Sequence, residues 1–295
     1  MEDYLVKALA YDGYVRAYAV CATNTVAQAQ KNHDTWNTSS AALGRTLVGS
    51  VLLGSSLLKG EDKLTVRIQG DGPAGGIVVD ADSKGNVKGY IKNPHLSLPL
   101  NQEGKLDVRG AVGTNGMFVV TKDLGLKEPF TGQTPIVSGE IAEDFTYYLA
   151  VSEQIPSAVG LSVLVDTDDS IKTAGGFMLQ IMPGADEATI SKIEEKLKST
   201  PRISTLLDEG QTPEEILQGL LEADDLNVLE KMPVQFTCDC SKEKFAEAII
   251  TLGVEEIQAM IDEDHGAEAV CSFCGKHYHY SEEDLYALIQ EVKGE

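Results

Sequence analysis

Basic residues are scarce in this sequence. Its 295 residues hold 24 Lys and Arg against 46 Asp and Glu, a formal net charge of −22. Sequence-independent nucleic-acid binding relies on cations that displace counterions from phosphate, so this balance speaks against it. Docking on an anionic membrane surface is disfavoured for the same reason. No run of about 18 apolar residues is present, and no spanning helix is expected. The opening residues MEDYLVKALAYDGY carry early acids and no basic segment ahead of an apolar one. No secretory signal is therefore expected, and the cytoplasm is the expected compartment. A GxxxxGK(S/T) phosphate loop, an HExxH helix and a GxSxG elbow are all missing. Cysteine is rare, five in all. In a reducing compartment these read as metal ligands or redox groups rather than as a standing disulfide framework.

With 42% hydrophobic and 24% charged residues, the composition is that of a globular chain. Its length fits about two domains. The acidic excess is uneven: residues 1–185 hold 20 acids and 15 bases, residues 186–295 hold 26 and 9. A composition break falls near Met182-Pro183-Gly184. Before it, Leu64 to Gln69 alternates as a strand should, and Gly76 to Asp80 and Val87 to Ile91 follow across glycine turns. Ala41 to Leu58 reads as a buried helix with Asn37, Thr38 and Ser39 as possible caps. Tyr147 to Ala150, Leu161 to Val165 and Phe177 to Met182 are further expected strands.

After the break the pattern turns helical. Ile190, Ile193 and Leu197 share one helical face. Thr212-Pro213-Glu214-Glu215 combines a hydroxyl cap, proline at the first helical position and Glu at the third. Ile216, Leu217, Leu220 and Leu221 then make a narrow apolar stripe. Helices this short need a surface to lie on, which marks a docked linker. Further on, Phe245 to Leu252 and Val254 to Ile261 read as short helices split by Gly253, and Ser281-Glu-Glu-Asp284 caps a last helix through Ile289.

The strongest signal is Cys238-Asp-Cys240, then 30 residues, then Cys271-Ser-Phe-Cys274-Gly275. Cysteines at i and i+2 of an extended segment point to one side, and a CxxC turn closed by glycine folds two sulfurs toward one point. Four thiolates so gathered suit a tetrahedral Zn²⁺ ion. A segment of about sixty residues has little core of its own and usually needs such a staple. His277 and His279 are close enough in sequence to stand in as ligands, although such histidines are more often plain surface residues. The expected fold class is α+β: an N-terminal mixed α/β core domain (1–183), a helical linker (184–232) and a small C-terminal zinc-binding α+β module (233–295).

Zinc holds the sulfurs as thiolates, the form that attacks peroxide or hypochlorous acid. Oxidation to disulfides removes the ligands. Structural zinc contributes on the order of 10–16 kcal/mol to small modules, against about 5–15 kcal/mol for the stability of a whole domain. Loss of the ion is therefore expected to unfold the C-terminal module and leave the linker unsupported. Detachment of the linker would expose Ile190, Ile193, Leu197, Ile216, Leu217, Leu220 and Leu221, and large exposed apolar patches bind other chains.

Other signals are weaker. Gly70-Asp-Gly72-Pro-Ala-Gly75 matches GxGxxG after a strand, but another strand follows instead of a helix, so the dinucleotide context is missing. Cys21, in the strand-like run Tyr18 to Cys21, reads as a small buried hydrophobe. Acid pairs such as Glu194-Glu195 and Asp224-Asp225 read as solvated helix faces, and no catalytic dyad emerges.

The CxC–x30–CxxC pattern, with Ser138 to Phe145, Tyr147-Tyr148, Ser152-Glu153-Gln154 and Gly175 to Gly184, resembles the 33-kDa heat-shock protein family, the redox-regulated bacterial chaperones. The resemblance runs over essentially the whole chain. It implies a zinc-bound, largely inactive monomer when reduced. It implies that oxidants assisted by heat form Cys238–Cys240 and Cys271–Cys274 disulfides, release zinc, unfold module and linker, and yield a homodimer. The dimer would hold unfolding client proteins without ATP and without enzymatic activity. Two other readings compete: a constitutive zinc-stapled adaptor, and a thiol-disulfide oxidoreductase. The latter lacks a thioredoxin-like βαβ context around Cys271 and Cys274. Cys21 lies outside the four-cysteine motif, and no role transfers to it.

Overall fold

The chain opens on an antiparallel hairpin, β1 (Tyr4–Ala10) and β2 (Val15–Cys21), followed by the helices α1 (Thr23–His33) and α2 (Asn37–Leu57). These and all later elements come from a computed structural model that describes residues 2–293. α2 sets the architecture. Its side chains are apolar or small on every face, so every face has to be covered, and from Thr38 to Ser55 only Arg45 is not fully buried.

Two sheets supply the cover. The first contains β1, β2, β8 (Ser157–Val165), β9 (Ile171–Ile181) and β10 (Asn227–Pro233), in the order β10-β1-β2-β9-β8 with every pair antiparallel. The second contains β3 (Lys63–Gly70), β4 (Ile77–Asp82), β5 (Asn86–Ile91), β6 (Gly116–Asp123), β7 (Phe130–Pro135) and β11 (Gln235–Phe236). Its order is β11-β5-β4-β3-β6-β7, antiparallel except for the two-residue β11–β5 pair. Leu43, Leu47 and Leu52 of α2 join Leu64, Ile68 and Val79 from one sheet and Val20 and Met178 from the other in a single core. The α+β class expected from the sequence is the one observed.

The glycines of the 70–75 loop serve close packing. Gly72 donates its N–H to Val112 O (3.0 Å) at the end of α3 (Val108–Val112), and a Cβ on Gly70 would lie 2.0 Å from that oxygen. The expected strand at Tyr147 to Ala150 is a correction: these residues belong to the helix α4 (Ala142–Val151). Phe145, Tyr148 and Leu149 are buried at i, i+3 and i+4, a helical period that a four-residue window conceals. The Asp144 carboxylate fixes the start of this helix by accepting the N–H groups of Val137, Ser138, Gly139 and Ile141 at 2.8–3.1 Å.

Strand alternation gives the first sheet a second apolar face, away from α2. It presents Val6, Ala8, Ala10, Val15, Ala17, Ala19, Cys21 and Leu179, and three short helices lie on it. These are α5 (Glu187–Ser199), α6 (Ile203–Asp208) and α7 (Pro213–Leu221). Ile193, Ile203, Leu206, Leu207, Ile216, Leu217, Leu220 and Leu221 are buried there, while Ile190 and Leu197 are half-buried. α7 begins with the capping box read from the sequence: Thr212 Oγ1 accepts from Glu215 N (3.3 Å), and the Glu215 carboxylate accepts from Thr212 N (2.7 Å). Polar clips pin the segment at its edges. Tyr4 Oη donates to Glu214 (2.7 Å), Glu214 pairs with Lys231, and Asp225 accepts the N–H groups of Tyr11 (2.9 Å) and Asp12 (2.6 Å).

The chain divides into two compact units after Thr237. The second holds α8 (Lys242–Ile250), α9 (Val254–Asp264), the hairpin β12 (Gly266–Val270) and β13 (His277–Ser281), and α10 (Glu282–Lys293). Its core is small: Ile249, Ile257, Ile261, Tyr280, Leu285, Leu288 and Ile289 are its buried apolar residues among those described.

Candidate metal centre

Two short backbone segments bring four sulfurs together. Cys238 and Cys240 precede Ser241, whose hydroxyl caps α8 by accepting from Lys244 N (3.3 Å). Cys271 and Cys274 occupy the turn between β12 and β13. There Gly275 N donates to Cys271 O (2.8 Å) and Cys271 N donates to Lys276 O (2.9 Å). The turn needs a left-handed residue at 275, where φ is 71°, and glycine adopts it without a steric penalty. Both CxxC sulfurs thereby face the CxC segment.

Cys238 Sγ lies 3.7 Å from Cys271 Sγ, Cys240 Sγ lies 3.4 Å from Cys274 Sγ, and all four fall within 4.8 Å of one another. A zinc ion bonded to four sulfurs at ~2.3 Å separates neighbouring ligands by about 3.8 Å, so the spacing fits. Among the described residues no other group of three or more Cys, His, Asp or Glu donors meets the same proximity. Cys271 is buried and the other three are half-buried, which partly shields the cluster.

Electrostatics point the same way. Burial pushes the Cys238 and Cys274 thiols up. At Cys240 burial is outweighed by the Tyr278 hydroxyl and the neighbouring sulfurs, which bring the thiol down to about 7. Tyr278 Oη donates to Cys240 Sγ (3.2 Å) and to Cys240 O (3.0 Å), and that bond, with burial behind it, raises its own phenol. Four thiolates this close repel one another strongly, so full deprotonation requires a cation among them. The donor set can therefore hold a metal ion and is suited to a soft or borderline one.

His277 and His279 are placed elsewhere. Their Nδ1 atoms pair with Glu268 at 3.1 and 3.2 Å, and both side chains are exposed. Of the apolar residues singled out in the sequence, Ile193, Leu197, Ile216, Leu217, Leu220 and Leu221 lie on the first sheet of the other unit, together with Ile203, Leu206 and Leu207, which sequence reasoning missed; Ile190 is half-buried outside that cluster. Tyr278 was missed as well; period-two alternation in His277–Ser281 was the available signal.

Fold and site together define an α+β protein whose small second unit is built around four cysteines able to hold a metal ion. The family model described as "Hsp33 protein" matches residues 3–281. The 33 kDa chaperonin of Enterococcus faecalis is 67% identical over 292 residues, covering 99% of this chain and 98% of that protein. A 33 kDa chaperonin of Listeria monocytogenes is 58% identical over 295 residues, covering 99% of this chain and all of its own. The crystal structure of the 33 kDa chaperonin (heat shock protein 33 homolog) from Thermotoga maritima superposes with a TM-score of 0.93 at 37% identity, with full coverage of both chains. The chain belongs to the Hsp33 family of chaperones.

Proposed function

We propose that this protein is a redox-regulated, ATP-independent holdase that works in the cytoplasm by binding unfolded or oxidatively damaged clients rather than by catalysis. The observation that carries this reading is the convergence of four cysteine sulfurs within 4.8 Å in a unit with so little other core. In the reduced state Cys238, Cys240, Cys271 and Cys274 hold one Zn²⁺. Bound there, zinc keeps the sulfurs deprotonated and ties residues 238–240 to the 271–274 turn.

Oxidation then works through the sulfurs. Each pair loses two electrons to one peroxide, which takes up two protons and leaves as two waters, so two peroxides convert four thiolates into two disulfides. The proposed pairs are Cys238–Cys240 and Cys271–Cys274. Disulfide formation consumes the ligand set and releases the zinc, and residues 233–295 unfold as a redox-switch domain. The linker, residues 184–232, follows them in leaving the core domain, residues 1–183. Its detachment exposes Ile190, Ile193, Leu197, Ile216, Leu217, Leu220 and Leu221 as well as the sheet face beneath. Such apolar surface supports client binding and homodimerisation. The 26 acids and 9 bases of residues 186–295 keep the opened chain soluble.

The test measures zinc content, free thiols and suppression of light scattering by a heat-denatured client, before and after peroxide with mild heat. The holdase loses one zinc and four thiols as it gains protection. A constitutive adaptor keeps its activity only with metal bound. An oxidoreductase turns over a disulfide substrate at catalytic amounts. Protection that is equal in the reduced and oxidised states overturns the redox switch.

A further inference from the structure

The first sheet ends on one side in β10 and on the other in β8. An open strand edge invites pairing with another chain, and folded proteins usually blunt it with charge or proline. β10 does so with Glu230, Lys231 and Pro233. β8 does not: its nine residues, SAVGLSVLV, contain neither. Alternate residues of an antiparallel strand turn their backbone groups toward the partner and away from it. Ile181 N donates to Pro156 O (2.9 Å), so residues 158, 160 and 162 pair with β9, and Val159, Leu161 and Val163 face outward. Ala174, opposite Val163, agrees. Its N–H goes to Thr23 Oγ1 (3.1 Å) and its C=O accepts from Ala22 N (2.9 Å), both on the side away from β8. Thr146 Oγ1 takes the Val159 N–H (3.2 Å). Among the described residues nothing pairs with the outward N–H and C=O groups of Leu161 and Val163.

A cavity of about 910 Å³ adjoins this edge, lined by residues 159–165 together with the loop around Asn101 and Lys105 and residues 200–203. Unpaired strand groups beside such a space fit a single extended polypeptide, whose own alternating N–H and C=O groups are their complement. The charges around the cavity select further. Arg45 is paired with Glu140 and Lys105 with Glu103, which leaves Glu143, Asp166 and Asp169 against Arg202 among the lining residues. A strand of apolar residues with lysine or arginine near its ends complements that balance. A second copy of this chain does not, because each copy carries a net charge of −22 and the two repel.

We infer that the outer edge of β8 is a docking site for an extended, basic-ended segment of another polypeptide, which joins the first sheet as a further strand beside β8. The inference rests on the holdase reading only in taking that segment from an unfolded client. Residues 200–203 belong to the linker, so its departure removes one wall of the cavity and opens the same edge to longer segments.

The test uses the full-length reduced protein and, as the probe, a nine-residue peptide of alternating valine and threonine with lysine at both ends. Saturating peptide slows amide exchange at Leu161 and Val163 about tenfold or more, and changes Gly160 and Ser162 less, because those amides already pair with β9. N-methylation of one alternate set of peptide amides abolishes binding, whereas methylation of the other set is tolerated, since an added strand bonds β8 along one edge only. The exposed double substitution Glu143→Lys/Asp166→Lys weakens the lysine-ended peptide about threefold to tenfold. Three results each overturn the assignment: no slowing at Leu161 and Val163, equal loss with either methylated peptide, or slowing that rises with protein concentration without peptide, which gives the edge to a second copy. Redox-dependent client protection without peptide binding sinks the β8 site and spares the holdase. Peptide binding with equal protection in both redox states does the reverse.

Discussion

Leu217→Ala isolates the docking of α7. Leu217 has no exposed surface and packs among Ile216, Leu220 and Leu221 against the first sheet, within the cluster that contains Ala17 and Ala19. Truncating a buried leucine costs about 2–5 kcal/mol, from lost transfer energy and the cavity left behind. A tenfold change in an equilibrium constant corresponds to about 1.4 kcal/mol, so the opening equilibrium of α7 shifts by about 30-fold to a few thousandfold. Native-state hydrogen exchange reads this directly. The amides of Leu220 and Leu221 lose protection by that factor, while those of β2 and β9 lose less, because the main core around α2 does not contain Leu217. The variant also gains client protection at lower peroxide or temperature. If every amide of the first unit loses protection equally, α7 does not open separately from the core, and the account of the linker as a detachable cover fails. Unchanged protection at Leu220 and Leu221 refutes the assigned packing itself.

Four further outcomes follow from the same contacts. Chelation of metal from the reduced protein unfolds residues 238–293 and leaves the two large sheets of the first unit intact, because a core of seven buried apolar residues depends on the ~10–16 kcal/mol that a structural zinc contributes; limited proteolysis would show cuts confined to the second unit. Cys21, on the covered face and with its thiol raised by burial, resists iodoacetamide until the linker opens, so its alkylation keeps pace with client protection. The Asp225 carboxyl is held below its ordinary value by the Asp12 and Tyr11 amides, so its contribution is complete above the unfolded value of about 3.9 and vanishes as pH falls through the lower folded value. The Tyr11 and Asp12 amide shifts titrate with a midpoint under that value, and a midpoint at or above it disproves the clip. Gly175→Ala places a methyl 2.4 Å from Val20 O and 2.5 Å from Leu207 Cδ1, costs about 1–3 kcal/mol, and lowers the melting temperature while loosening α6.

Local rules carried much of this molecule. The alternation of Leu64 to Gln69 and the all-round apolarity of α2 were legible because each depends on neighbours within a few residues. The start of α7 was legible for the same reason, since Thr212 and Glu215 satisfy each other's backbone donors. The spacing of Cys238, Cys240, Cys271 and Cys274 was readable because sulfur chemistry restricts what four such residues do together. What failed depended on distant partners. β10 is an edge strand with Val228 and Leu229 exposed, so it shows no burial pattern and exists through its ladder with β1, more than 200 residues away in sequence. Tyr147 to Ala150 looked β-like by composition, whereas packing of Phe145 and Tyr148 against Phe118 decided for helix. Ile203, Leu206 and Leu207 escaped notice because a six-residue helix offers less than two turns of period.

Much of the floor beneath the three short helices is made of methyl groups: Ala8, Ala10, Ala17 and Ala19. Ridges-into-grooves packing selects a crossing angle only when the surface has relief, and such a floor has little. It holds its own helices largely through area and through clips at the rim. Once those clips let go, what holds the helices down is the area they cover and the few places, such as Leu207 over Gly175, where the fit is close.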